Sequence, residues 1–129
     1  MTNVEVKVDF SPSRLKAYAK NEVIATISVK NLSDVSTYWC ECDVSVAPPL
    51  SLAHDSELAL GRTRVGILKP KGIVRKQVKI YTRPNNYPDD YKMSVVSFAY
   101  DEDGAISERA EHRTHIPCGD ETAKEVNKT

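Results

Sequence analysis

The chain has 129 residues, 40% hydrophobic and 28% charged, and its 18 basic and 18 acidic side chains cancel. That is one domain's worth of material, enough to bury a core without disulfide staples. Balanced charge leaves no overall field to draw the chain to nucleic acid or an anionic membrane, and no stretch approaches the roughly 18 apolar residues of a membrane span. No charged-then-apolar leader opens the sequence. The expectation is therefore a soluble, cytoplasmic protein with no membrane insertion, or an extracellular one if the chain is an excised ectodomain.

Polar and apolar residues alternate one position at a time in Val4-Glu5-Val6-Lys7-Val8-Asp9-Phe10. This spacing puts every apolar side chain on one face of an extended strand. The first predicted strand is Asn3 to Phe10; Ser11-Pro12-Ser13 breaks it, and Leu15 to Ala19 continues along the sandwich edge. Glu22 to Lys30 follows, with Val23, Ala25, Ile27 and Val29 inward, and Asn31-Leu32-Ser33-Asp34 supplies turn chemistry after it. Ser36 to Ala47 is a longer strand in which Tyr38, Cys40, Cys42, Val44 and Val46 share one side, read as the core, and Trp39 takes the other. Pro48-Pro49 ends it, and Leu50 to Ser56 is a loop.

Leu58 to Leu68 reads as a strand bent around Gly61 and Gly66. In the connection Leu68-Lys69-Pro70-Lys71-Gly72, Pro70 presets one turn dihedral and Gly72 is expected to take the left-handed one. Ile73 to Thr82 is the next strand, Arg83 to Asp90 a turn cluster, and Tyr91 to Tyr100 a strongly apolar strand. Asp101-Glu102-Asp103-Gly104 closes a hairpin into Ile106 to Ile116. With no helical period anywhere, about seven short strands point to an all-β, antiparallel, immunoglobulin-like Greek-key sandwich over residues 1–117, a closed barrel being the rival. Residues 118–129 are expected to form a polar, flexible tail.

Three residue stretches carry a family resemblance. Val23 to Asn31 resembles the second strand of immunoglobulin-like modules of the archaeal and bacterial CARDB type. Gly66-Ile67-Leu68-Lys69-Pro70-Lys71-Gly72 looks like their leucine-x-proline-glycine turn. Tyr87-Pro88-Asp89-Asp90-Tyr91-Lys92-Met93-Ser94-Val95 looks like their proline-glycine-x-tyrosine-x-valine approach to the sixth strand. The likeness spans Val4 to Ile116 and implies adhesion, scaffolding or spacing. It also implies that Tyr91 is a structural corner, its hydroxyl folded back onto a main-chain group of the preceding bend. Asp89-Asp90 departs from the glycine common there, and the inter-sheet cysteine pair of antibody domains is absent.

Chemistry-bearing residues are few. Cys40, Cys42 and Cys118 are read as buried thiols in a reducing compartment rather than a disulfide framework. With His112 and His115 they supply enough sulfur and nitrogen for a zinc ion, but along a strand His112 and His115 point to opposite faces, so no metal and no cofactor is assigned. Asp101, Glu102 and Asp103, with help from Asp89 and Asp90, could hold calcium; a polar hairpin turn is the preferred reading. Arg62, Arg64, Lys69, Lys71, Arg75, Lys76 and Lys79 form either a patch for an acidic partner or, as preferred, a solvated face with edge lysines that discourage aggregation. His54-Asp55-Ser56 holds the letters of a triad in adjacent positions that rarely face one another. No nucleophile elbow or phosphate loop occurs among five glycines, so no catalytic residue is assigned. Asn31-Leu32-Ser33 and Asn127-Lys128-Thr129 match the glycosylation pattern, which matters only on export.

The function expected is non-catalytic: protein–protein interaction or structural assembly with a protein partner or a second copy. Trp39, Tyr38 and Tyr87 are the candidate contact residues. A carbohydrate-binding module, or a metal-binding protein with His and Cys ligands, is the alternative.

Overall fold

The computed structural model describes residues 3–119, and among these there is no helix. The strands are β1 (Val4–Ser11), β2 (Leu15–Lys16), β3 (Asn21–Asn31), β4 (Tyr38–Val46), β5 (Leu60–Leu68), β6 (Ile73–Thr82), β7 (Asp89–Tyr100) and β8 (Ile106–Gly119). They form two sheets, of order β1-β3-β6 and β2-β8-β7-β4-β5. The fold is thus all-β and mostly antiparallel. The short piece after Pro12 is a strand of its own and runs parallel to β8, setting Leu15 beside Cys118. The two sheets stay separate ladders rather than one closed barrel.

Period-two alternation builds the core. Val23, Ala25, Ile27 and Val29 of β3 have no exposed surface, and they meet Cys40, Cys42, Val44 and Val46 of β4 and Met93 and Val95 of β7 in one buried cluster. Full burial of each Val or Ile is worth about 1.5–3 kcal/mol, so such rows dominate the favourable side of folding. β4 is an inner strand of the larger sheet, next to the central β7: Cys40 lies opposite Ala99, Cys42 opposite Ser97 and Val44 opposite Val95. On its other side it pairs with β5, where a register shift between Cys40 and Glu41 marks a bulge. The bend expected near Gly66 is this bulge, and Gly66 there has φ +121°, which a side chain would strain.

Two buried asparagines tie off the ends. Asn86 donates from Nδ2 to the Lys16 carbonyl at 2.8 Å and to the Cys118 sulfur at 3.4 Å, while its Oδ1 accepts from the Ala19 N–H at 3.2 Å. It thereby fastens the β2–β3 loop to the β6–β7 loop. At the opposite end Asn31 Nδ2 donates to the Ser36 carbonyl at 2.7 Å and is shared by the Leu68 and Lys69 carbonyls, and Oδ1 accepts from Ser33 N–H at 2.9 Å. Asn31 has no exposed surface, so the glycosylation reading fails there: its amide nitrogen is inside the fold. Asn127 lies outside the described residues.

Other expectations need correction. Lys71, not Gly72, takes the left-handed conformation, with φ +57°. Gly72 is needed instead for close approach, since a Cβ there would sit 2.9 Å from the Lys69 carbonyl oxygen. The last strand reaches Gly119, and Cys118 is buried against β2, so the boundary at 117 cuts a strand. The rest of the proposed tail, residues 120–129, lies outside the described residues.

Both β4 thiols are held protonated. Burial, and then the neighbouring Cys42, pushes Cys40 up to about 12. Burial pushes Cys42 up to about 11 against the opposing pull of the Ser97 hydroxyl.

Asn86→Ala leaves the Ala19 N–H without its partner and removes one of the two donors to the Lys16 carbonyl, the other being Asn21 Nδ2, so urea denaturation is expected to show a loss of about 1–3 kcal/mol, against less than about 0.5 kcal/mol for Asn85→Ala on the exposed neighbour. Thiol pKa values raised above the unfolded value of 9.0 give stability that is complete below pH 9 and lost as pH climbs through 11. The urea midpoint should fall across that window, with a flatter slope in the Cys40→Ala/Cys42→Ala variant; an equal slope would remove the thiols from the account.

Candidate functional site

Residues alternate outward on the larger sheet as strictly as inward. On β4 the outward set is Trp39, Glu41, Asp43 and Ser45; on β7 it is Tyr100, Phe98, Val96, Ser94 and Lys92. Register assembles them into rows. Trp39 lies between Ile67 on β5 and Tyr100 on β7, and Tyr100 is opposite Ile106 on β8. Trp39 is 39% exposed, and Ile67 and Ile106 are each 59% exposed. Large apolar groups standing open in adjacent ladder positions make a continuous patch rather than scattered single exposures.

A charged frame borders this row. The next row runs Arg64, Glu41, Phe98, Arg109, and the one after it Arg62, Asp43, Val96, Glu111. Arg62 forks onto Asp43, with Nε–Oδ1 at 2.7 Å and the second nitrogen to Oδ2 at 3.2 Å. The same guanidinium covers the Phe98 ring, 5.8 Å from its centroid. Hydrogen bonding from Arg62 holds the Asp43 carboxyl below the usual carboxylate range. Glu41 takes the Trp39 indole N–H at 3.5 Å and is 3.9 Å from Arg64 Nε. The ring is therefore oriented by its own strand, its nitrogen satisfied and its apolar body left outward. Beyond this frame the face shallows into a depression of about 710 Å³ of mixed character, lined by Ser45, Lys92, Ser94, Arg113 and His115 together with Val46, Ala47 and Met93.

The candidate contact residues separate. Trp39 stands on the patch. Tyr38, one position earlier, points the other way, is 5% exposed and belongs to the core, so it offers no contact surface. Tyr87 is 57% exposed but sits before β7 at the end of the molecule away from Trp39. At about 3.3 Å per residue, the length of β7 separates the two by roughly 35 Å. Tyr91 is buried, and its hydroxyl donates to the Tyr87 carbonyl, the hydrogen bond expected of a corner tyrosine. Phe98, Ile67 and Ile106 were not singled out from sequence. For Phe98 the signal is that Tyr91 to Tyr100 is apolar at both parities, which a strand with one wet face has no need to be; Ile67 and Ile106, on β5 and β8, join it only through pairing.

Other sequence candidates do not assemble. Among the described residues no three of His, Cys, Asp and Glu converge as a metal would require. His112 lies opposite buried Val95, whereas His115 lies opposite exposed Lys92, on the other face. Asp101 uses Oδ1 to accept the N–H groups of Asp103 and Ala105, at 3.0 and 3.1 Å, which shapes the hairpin. Asp89 and Asp90 begin β7 and Asp101 follows its end, so they cannot share a calcium. His54 Nδ1 is 3.6 Å from Asp55 Oδ1, both well exposed, and among the side-chain hydrogen bonds of that loop none joins His54 to Ser56: Ser51 Oγ instead donates to the Ser56 carbonyl. The basic residues divide, Arg62 and Arg64 facing out of the larger sheet and Arg75, Lys76 and Lys79 lying on β6 of the smaller one.

No family model and no curated protein matches the sequence. Among solved structures, a late embryogenesis abundant (LEA) protein is similar at 14% identity and TM-score 0.51, over 91% of this chain and 72% of its own. The sporulation control protein Spo0M of Bacillus subtilis aligns at 14% identity and TM-score 0.46 over 99% of this chain. The Pseudomonas fluorescens alkylpurine DNA glycosylase AlkC, bound to DNA containing an abasic site analog, aligns at 10% identity and TM-score 0.48 over 92% of it. The chain spans 56% of the Spo0M chain and 31% of the AlkC chain. The likeness to the LEA protein is one of fold alone.

Proposed function

We propose that this chain is an immunoglobulin-like Greek-key sandwich of the kind the CARDB-type resemblance implies. In this reading it acts as a non-catalytic protein-binding module that self-associates through the outer face of its larger sheet. The fold half of the reading rests on the division into β1-β3-β6 and β2-β8-β7-β4-β5 and on the Tyr91 corner. The functional half rests on one observation, the exposed row Ile67–Trp39–Tyr100–Ile106.

A second copy suits this face because the frame carries both signs. Arg64, Arg109 and Arg113 stand with Glu41, Asp43 and Glu111, so a two-fold pairing can set acids of one copy against arginines of the other while the aromatic centre is dried. Tryptophan flanked by arginine is the composition of an interface anchor. The neutral formal charge of the chain adds no long-range repulsion between copies.

Sedimentation equilibrium tests the reading. The apparent mass is expected to rise with concentration from 14.4 kDa toward the dimer value, and Trp39→Ala to weaken association by about 2 kcal/mol, roughly thirty-fold. Trp39 is the single tryptophan, so its emission should shift to the blue over the same concentration range. A chain that stays monomeric while oligosaccharides quench that emission would transfer the row to the carbohydrate-binding alternative, with Trp39 and Tyr100 as its stacking platform.

A further inference from the structure

The smaller sheet ends in β6, and the hydrogen-bonding direction of β6 is fixed at both ends of the strand. Tyr81 N–H donates to the Ser51 carbonyl at 2.8 Å and the Tyr81 carbonyl accepts from Ser51 N–H at 2.9 Å, on the side away from β3. The Gly72 carbonyl accepts from Asn31 N–H at 2.9 Å, on the side toward β3. Alternation along an antiparallel strand then directs Val74, Lys76, Val78 and Ile80 to β3 and leaves Ile73, Arg75, Gln77 and Lys79 facing outward. Among the described residues no backbone group pairs with these four. Their N–H and C=O groups form an open ladder edge that stops where Ser51 begins.

A groove accompanies the edge. A cavity of about 250 Å³ between β5 and β6 is lined by Val44, Leu52, Leu58, Gly61, Gln77 and Val78 together with Arg62 and Thr63. The chain already shows how it is filled: Ser51 pairs with the edge, and the next residue, Leu52, turns into the groove. Charge is the third feature. From Lys69 to Arg83 there are six basic residues and no acid, and the only ion pair made by β6 among the described residues is Lys79 to Glu22, at 3.9 Å.

We infer that the open edge of β6 is a strand-addition site for an extended acidic segment of another protein, alternating acidic with apolar residues. Its backbone extends the lane of Ser51 along Ile73 to Lys79. Its apolar residues enter the groove beside Leu52 and Val78, and its acidic residues lie on the outer face beside Arg75 and Lys79. A second copy of β6 is excluded as occupant, because an antiparallel pair centred on Gln77 sets Arg75 opposite Lys79 and like charges oppose across the ladder. Basic residues on an edge normally blunt it against pairing. Here they select the charge of the strand that pairs. This surface shares only Arg62 with the frame of the Trp39 face, and either reading can fail without the other.

The probe is a capped seven-residue peptide alternating glutamate and valine, titrated into the isotopically labelled chain, with its lysine–valine counterpart and a short single-stranded oligonucleotide as comparisons. The glutamate peptide is expected to slow amide exchange at Arg75, Gln77 and Lys79 about tenfold or more, and the lysine peptide to leave them unchanged. The variant Arg75→Glu/Lys79→Glu, on exposed positions that leave the core intact, should lose binding by about tenfold and take the lysine peptide instead. Unchanged exchange at these amides with the glutamate peptide overturns the inference. Binding indifferent to the charge swap, or protection given by the oligonucleotide and not the peptide, does so as well.

Discussion

The register of β4 against β7 is the constraint on which the rest of the molecule depends. Pairing Cys40 with Ala99, Cys42 with Ser97 and Val44 with Val95 turns every second side chain of both strands into the core. Because the side-chain period is two, a slip of one residue would carry Glu41 and Asp43 into the interior and bring the thiols out. Burying two unpaired carboxylates costs several kcal/mol each, far more than the loss of any one apolar contact, so the register is fixed by what it keeps out as firmly as by what it brings in. That fixed register is also what lines up Trp39 with Tyr100. The candidate face and the core are two readings of one ladder.

The ends of the two-sheet core are held by different means. Rows of Val and Ile have no directional preference along the strands, so they do not determine where loops close. Asn31 and Asn86 do, each bonding several backbone groups of the loops that meet around it. A buried amide that bonds three or four groups at once contributes specificity as well as energy, since displacing it breaks all of those bonds together. The short strand β2 belongs to the same scheme. Leu15, with no exposed surface, packs beside Cys118, and Asn86 fastens the chain immediately after it.

Alternation made the strands of the core readable. Val4 to Phe10, Val23 to Val29 and the inward set Tyr38, Cys40, Cys42, Val44 and Val46 all lie as the period predicts, and their boundaries agree within a residue or two. What alternation cannot carry is pairing. Leu15 and Lys16 carry too little pattern to reveal that they run parallel to β8, and the continuation of β8 to Gly119 depends on that partner. Composition points to Gly72 for the left-handed conformation, since glycine adopts it at no cost; Lys71 takes it instead, and the close Lys69 carbonyl within the same turn gives the glycine another task. Tyr38 and Trp39 are adjacent aromatic residues, yet alternation sends them to opposite faces, and the buried Tyr38 follows the strand period rather than the aromatic pairing.

The two outer faces separate what the fold requires from what it leaves free. The outer face of the smaller sheet is mostly polar, carrying Lys7, Asp9, Thr26, Ser28, Arg75, Gln77 and Lys79 with Ile24, Ile73 and Tyr81 spread among them, close to the alternation of a sheet with one wet side. Nothing in the core would change if the larger sheet were dressed the same way. Instead β7 places Val96, Phe98 and Tyr100 outward, and β4 and β5 add Trp39 and Ile67. A guanidinium lies over one ring and a carboxylate takes the indole N–H. These arrangements shield apolar surface only in part, and exposed aromatic area in a patch has a cost in solubility that folding does not repay. β7 is the strand that is apolar at both parities, one set for the interior and one for the surface. Its outward set is the portion of the sequence that folding leaves unexplained.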